Sequence, residues 1–267
     1  MALGLALWWR EEGRRGAHRS TPAGLFAALA LVLALGVVFC GSRGALALLP
    51  LPLATGVFLW FRRPAAGAGG AQLAARAGFV LLFAAFIALG LLTLHPERIW
   101  VRAAHVMEDP VRELRVRRLA WAATVRLARD RWLFGWGAGA FRQAFPLAAR
   151  EYSEIYVSEG SGRKYWEHAH CDWLEWAAEY GLAGSLLGAA AGAAGLVAVV
   201  RRARSWAPLP VLAVVGVGGV LLHAGGDFVL QCPAVALTAA VMLAAAARWL
   251  EWRGVAGRAP TPVTSNQ

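Results

Sequence analysis

His168-Ala169-His170-Cys171-Asp172-Trp173-Leu174-Glu175 opens an apolar run that continues to Val200. A bilayer-spanning helix needs about 20 predominantly apolar residues, so this run reads as a membrane helix with a polar, titratable head. Five similar blocks accompany it, at 22–40, 45–61, 74–94, 209–226 and 234–247. The second and sixth are short, which tilting or tryptophan anchors would accommodate. Pro50 and Pro52 interrupt the second and predict a kinked or re-entrant segment there. Thirteen tryptophans fit the interfacial preference of that side chain, and Trp60, Trp173, Trp206, Trp249 and Trp252 lie at block edges.

Composition agrees. The chain of 267 residues is 58% hydrophobic and 16% charged, with mean hydropathy +0.50. A soluble domain carries about 25% charged residues. The fold predicted is an all-α polytopic membrane protein of about six transmembrane helices with one long outer loop. Its regions are residues 1–94 (membrane), 95–172 (loop), 173–250 (membrane) and 251–267 (cytoplasmic tail). Met1–Trp9 is apolar but lacks a basic segment ahead of it, so it is read as the tail of a further helix and not as a cleavable signal.

The net charge of +11 invites a nucleic-acid partner, but its distribution argues against one. Arg10, Arg14, Arg15 and Arg19 precede block one. Arg62 and Arg63 follow block two, Arg201, Arg202 and Arg204 follow block four, and Arg248 and Arg253 follow block six. Alternating the blocks puts every cluster, and both termini, on the cytoplasmic side, as the positive-inside rule requires. The loop 95–172 then lies outside. Long loops are exempt from that rule, so its arginines need another explanation.

Within the loop, Trp121, Val125, Ala128 and Trp132 form one apolar helical face. That helix either lies on the outer membrane surface or packs on the other helices. Gly135-Trp136-Gly137-Ala138-Gly139 ends it in a tight turn back toward the bilayer. The polar stretch from Arg142 to Glu167 reads as a mobile surface segment. His168 and His170 alternate, and with Asp172 they could hold a metal, although no further ligand cluster supports it. Asp172, Glu175 and Glu179 make an acidic stripe that suits a helix N-terminus or holds an imidazole in one tautomer. Cys40, Cys171 and Cys232 have no metal spacing and read as small apolar fillers. Arg43 and Asp227 end blocks one and five on the outer side, Asp227 shortly after His223. Ionisable groups at membrane depth are costly and usually functional, while snorkelling to the interface is the plain alternative for Arg43.

Together these residues resemble the O-antigen ligase and polysaccharide polymerase family of bacterial inner membranes. The similarity rests on Ser42-Arg43-Gly44, on Arg117 four residues before Trp121, and on the turn Leu133–Gly137. It continues with His170-Cys171-Asp172-Trp173-Leu174, Glu179-Tyr180-Gly181-Leu182-Ala183-Gly184, His223 with Asp227-Phe228, and Pro233-Ala234. Cys171 stands where the family pattern has asparagine. The family usually has more membrane helices, so the chain resembles its C-terminal part, and a second membrane subunit could supply the rest.

The resemblance implies transfer of a glycan from a polyprenyl diphosphate to an acceptor hydroxyl, with a periplasmic active loop. A ligase would use a lipid A core sugar, a polymerase a growing glycan, and a protein-glycosylating relative a serine or threonine. His170 would be the general base, since an imidazole titrates near about 6.5. Arg43 and Arg117 would grip the diphosphate without a metal. Arg118, Arg142, Asp227 and His168 are further substrate-binding candidates. No cofactor is implied. Readings from other classes are a non-catalytic membrane scaffold and a transporter, the latter weakened by the long outer loop and by the lack of inverted repeats.

Overall fold

The computed structural model describes residues 1–14, 22–40, 42–62, 88, 110–156, 165–202 and 207–256. Apart from residue 88, the third apolar block therefore lies outside the described residues. Every regular element among those described is helical. Helix α1 (Ala2–Arg14) runs past Trp9 and packs on α2 (Ala23–Cys40).

Helices α3 (Arg43–Leu48) and α4 (Pro50–Arg62) make the second block. Leu49 between them stays right-handed helical (φ −55°, ψ −38°) and donates its N–H to the Ala45 carbonyl. Pro50 takes the first position of α4, where a missing N–H costs least. The prolines thus sit at a helix start, and the chain stays helical through Leu49 between α3 and α4.

The remaining helices are α5 (Pro110–Asp130), α6 (Phe141–Ala148), α7 (Asp172–Arg202), α8 (Pro208–His223) and α9 (Pro233–Ala256). Gly44–Phe61, Asp172–Arg202 and Pro233–Arg253 are long and apolar enough to cross a membrane, and Ala23–Val38 and Pro208–His223 are shorter apolar helices. Helix α9 outruns the block expected to close near residue 247. Arg253 lies over the ring of Trp249 at 4.8 Å, and Arg248 lies over Trp252 at 5.8 Å, so these cations sit on aromatic faces within the helix.

The segment between the apolar blocks in sequence builds a compact core. Helix α5 fully buries Ala120, Ala123, Thr124 and Leu127, a spacing of three and four that marks one helical stripe. Against it lie Phe141 and Phe145 of α6, together with Ile155 and Trp166. The face expected from Trp121, Val125 and Ala128 flanks this stripe half-buried, and Trp132 is exposed beyond the helix end. The small alanines on the true inner face admit close packing, and they carry little weight in a pattern led by tryptophan. This helix packs on α6 and on α7.

The mobile segment expected from Arg142 onward is corrected too. Its first part is helix α6, followed by 3-10 turns at Ala149–Glu151 and Ser153–Tyr156, with Ala149 and Ile155 fully buried. Residues 157–164 lie outside the described part.

Helix α7 is broken at Gly181, whose φ of 62° and ψ of −168° occupy a region essentially open only to glycine. The break leaves carbonyls of the first half and N–H groups of the second without helical partners. The turn after α5 supplies partners for two of each. Trp136 and Gly137 donate their N–H groups to the carbonyls of Ala178 and Glu179, each at 2.9 Å. Leu182 and Ala183 donate to the carbonyls of Trp132 and Leu133 at 2.8 and 3.0 Å. Such a backbone-to-backbone splice requires glycine on both sides. A Cβ on Gly135 would lie 2.2 Å from the Glu179 carbonyl oxygen, and one on Gly181 would lie 2.5 Å from the Leu133 carbonyl.

Candidate functional site

The splice holds the polar head of α7 against the loop core. Glu179, buried, accepts the Phe141 N–H at 2.9 Å and so serves the N-terminus of α6. Glu175, also buried, accepts the Ala169 N–H at 2.7 Å through one oxygen and meets His168 Nδ1 at 2.8 Å through the other. Asp172 accepts the Leu230 N–H at 2.7 Å, while its own N–H donates to the Ala224 carbonyl at 2.8 Å. The acidic stripe thus ties three separate segments to about two turns of one helix. One of its members does hold an imidazole, that of His168.

His170 is held from elsewhere. Its Nδ1 lies 3.2 Å from Oδ1 of Asp227, which also accepts the Phe228 N–H at 3.0 Å. In the tautomer with hydrogen on Nδ1, the imidazole donates to this carboxylate and Nε2 is the basic nitrogen. The backbone of His170 is left-handed, with φ of 52°. A non-glycine residue held there is strained, and such strain clusters at functional sites. Neighbours fix this conformation: Trp121 Nε1 donates to the Ala169 carbonyl at 3.0 Å, and the Trp166 ring stands edge-on to the His170 imidazole at 5.6 Å. Phe228 joins the two histidines, stacking on His168 at 4.6 Å and meeting His170 edge-on at 5.0 Å.

Arg117 reaches the same place from α5. Its guanidinium donates to the Gly226 carbonyl at 3.0 Å, one residue before Asp227. His223, at the end of α8, brings Nε2 to 3.8 Å from Oδ2 of Asp227. The same imidazole packs on Gly44, where a Cβ would come within 2.4 Å of Nε2. Gly44 immediately follows Arg43, the first residue of α3. Ser42 caps that helix by accepting the Ala45 N–H at 3.3 Å. The Ser-Arg-Gly segment is therefore joined to the His170 cluster through His223.

The other candidates stand further out. Arg142 is exposed and pairs with Glu167 at 3.5 Å, and Arg118 is exposed on α5. Asp227, expected on the substrate, has its oxygens directed at imidazoles. For the metal alternative, His168 and His170 turn to different carboxylates. Among the described residues no group of three or more His, Cys, Asp and Glu side chains is arranged to hold an ion. Cys171 is buried in the position following His170, and Cys40 and Cys232 are exposed. Sequence reasoning did not single out Trp166 or Phe228 as ring neighbours of the histidines, or Glu175 as the clamp on Ala169. The only signal for Phe228 was its place beside Asp227.

The basic and acidic groups gathered here suit removal of a proton next to an anionic group held by guanidinium. Residues 27–189, more than half of the chain, match the profile of the O-antigen ligase family. No curated protein and no solved structure matches the chain.

Proposed function

Since this chain belongs to the O-antigen ligase family, we propose that it moves a glycan from a polyprenyl diphosphate carrier to an acceptor hydroxyl, that of a lipid A core sugar. The site faces the periplasm in this reading. About six spans anchor the protein in the bacterial inner membrane, both termini are cytoplasmic, and residues 95–172 form the outer loop. The supporting observation is the convergence of His170, Asp227 and Arg117 on the turn at Gly226, although Arg117 and Asp227 lie 109 and 57 residues from their partners.

In the proposed reaction Nε2 of His170 removes the proton of the acceptor hydroxyl. The oxygen attacks the anomeric carbon, and the bond from that carbon to the diphosphate breaks. The electron pair leaves with the polyprenyl diphosphate, and attack opposite the leaving group inverts the anomeric centre. Arg117 and Arg43 neutralise the diphosphate, with Arg118 and Arg142 at the periphery. Preorganised donors of this kind contribute a few kcal/mol in the transition state. Asp227 holds the His170 tautomer, and His168 binds substrate beside it.

The test is surface-glycan profiling of a deletion strain complemented with wild type or His170→Ala. Restored polymer on lipid A core with wild type, and its absence with a normally expressed variant, is the expected result. General-base removal should cost about 10²–10⁴-fold in rate. Accumulation of lipid-linked polymer identifies a ligase and accumulation of single repeats a polymerase. Equal rescue by both proteins would refute the role of His170.

A further inference from the structure

The polar head of α7 does not continue the line of the span below it. In a straight helix residues 176 and 188 would stand about 18 Å apart along the axis. Yet a Cβ on Gly188 would lie 3.2 Å from the Trp176 ring. The chain therefore folds sharply at Gly181, and the first half of α7 lies across the top of the second. The second half, Leu182 to Arg202, is by itself about 30 Å long, which is the thickness of the hydrocarbon core.

The two faces of the first half differ. Asp172, Glu175 and Glu179 point into the loop core and are buried. Trp173, Trp176 and Tyr180 form a chain of edge-on rings on the other face, each 6.1 Å from the next. Trp173 is 43% and Tyr180 is 41% exposed. Beside them the spliced turn presents Trp132 and Phe134, 60% and 74% exposed. The splice fixes their height, because Trp132 accepts the N–H of Leu182, the first residue of the exposed apolar stretch that includes Leu187. Arg129 and Arg131 precede this turn, and Arg131 lies over the Trp136 ring at 4.3 Å.

We propose that Trp132, Phe134, Trp173, Trp176 and Tyr180 form an aromatic shelf seated in the outer lipid interface, with phospholipid as the partner. Three observations select lipid as the occupant. The shelf is continuous with the exposed apolar face of the span. Tryptophan and tyrosine favour the headgroup level. The flanking arginines suit phosphate headgroups. Seating the shelf there fixes the depth of His170, which immediately precedes this half-helix apart from Cys171. The inference needs Leu182–Arg202 to cross the bilayer, and it does not depend on the chemistry proposed for His170.

Nitroxide labels in the full chain, reconstituted in phospholipid vesicles with the native cysteines replaced by alanine, test it. Labels replace Phe134 (Phe134→Cys), Tyr180 (Tyr180→Cys), Leu187 (Leu187→Cys) as the span reference and the exposed Gln143 (Gln143→Cys) as the water reference. The readout is collision with oxygen against collision with a water-soluble nickel chelate. The shelf labels should favour oxygen several-fold over the Gln143 label, approaching the Leu187 label. Shelf labels that match Gln143 while Leu187 stays lipid-protected would overturn the shelf alone. A Leu187 label that also matches water would overturn both the span and the shelf resting on it.

Discussion

Gly135 and Gly139 share the same backbone dihedral, φ of 71°, and differ in what surrounds them. Nothing lies within 4 Å of a Cβ on Gly139, whereas one on Gly135 would lie 2.2 Å from the Glu179 oxygen and 2.6 Å from the Gly181 nitrogen. Substituting alanine at either place incurs the left-handed penalty, about 1–2 kcal/mol. At Gly135 the backbones must also part by about an ångström to reach ordinary contact, and a gap of that size breaks the splice. Its four hydrogen bonds contribute about 1 kcal/mol net each, so Gly135→Ala should lose about 5–6 kcal/mol in all. At about 2–4 °C per kcal/mol for a chain of this size, that is a fall in Tm of roughly 10–24 °C. Gly139→Ala should fall by no more than about 8 °C on the same scale. Thermal unfolding of the two purified variants in detergent, followed by tryptophan fluorescence, measures the difference. Equal losses at the two positions would refute the splice as the element that holds the broken helix.

Gly44→Ala places a methyl group against His223 Nε2 and should push that imidazole away from Asp227; glycan profiling should show transfer reduced at least about tenfold, the effect of a misplaced group, with normal expression. Glu175→Ala leaves the buried Ala169 N–H without its 2.7 Å partner and should destabilise by about 1–3 kcal/mol, visible as a lower unfolding midpoint. Glu175→Gln keeps an oxygen for Ala169 and should recover part of that loss.

Much of the architecture is legible along the chain because burial in lipid leaves a local trace. The apolar runs mark the helices whether or not their neighbours are known, and the glycines at 135–139 announce a turn, since left-handed backbone selects that residue. The inner face of α5 differs from the one its tryptophans suggest because its alanines, at 120 and 123, are inconspicuous in sequence and decisive in packing. The prolines at 50 and 52 looked disruptive, and at a helix start they are not.

The sequence by itself determined that the protein is helical and suited to lipid, and that titratable residues gather at the helix ends. Both follow from which groups water or hydrocarbon will accept, a property each segment carries alone. Only the tertiary structure decided which histidine meets which carboxylate. The spacing of Asp172, Glu175 and Glu179 suggested a partner for an imidazole, and folding gave Glu175 to His168 and Asp227 to His170. It alone also decided that the helix after His170 breaks at Gly181, where another backbone offers hydrogen bonds in place of those lost. Such pairings join residues far apart in the chain, and their free energy belongs to the contact and to neither segment alone.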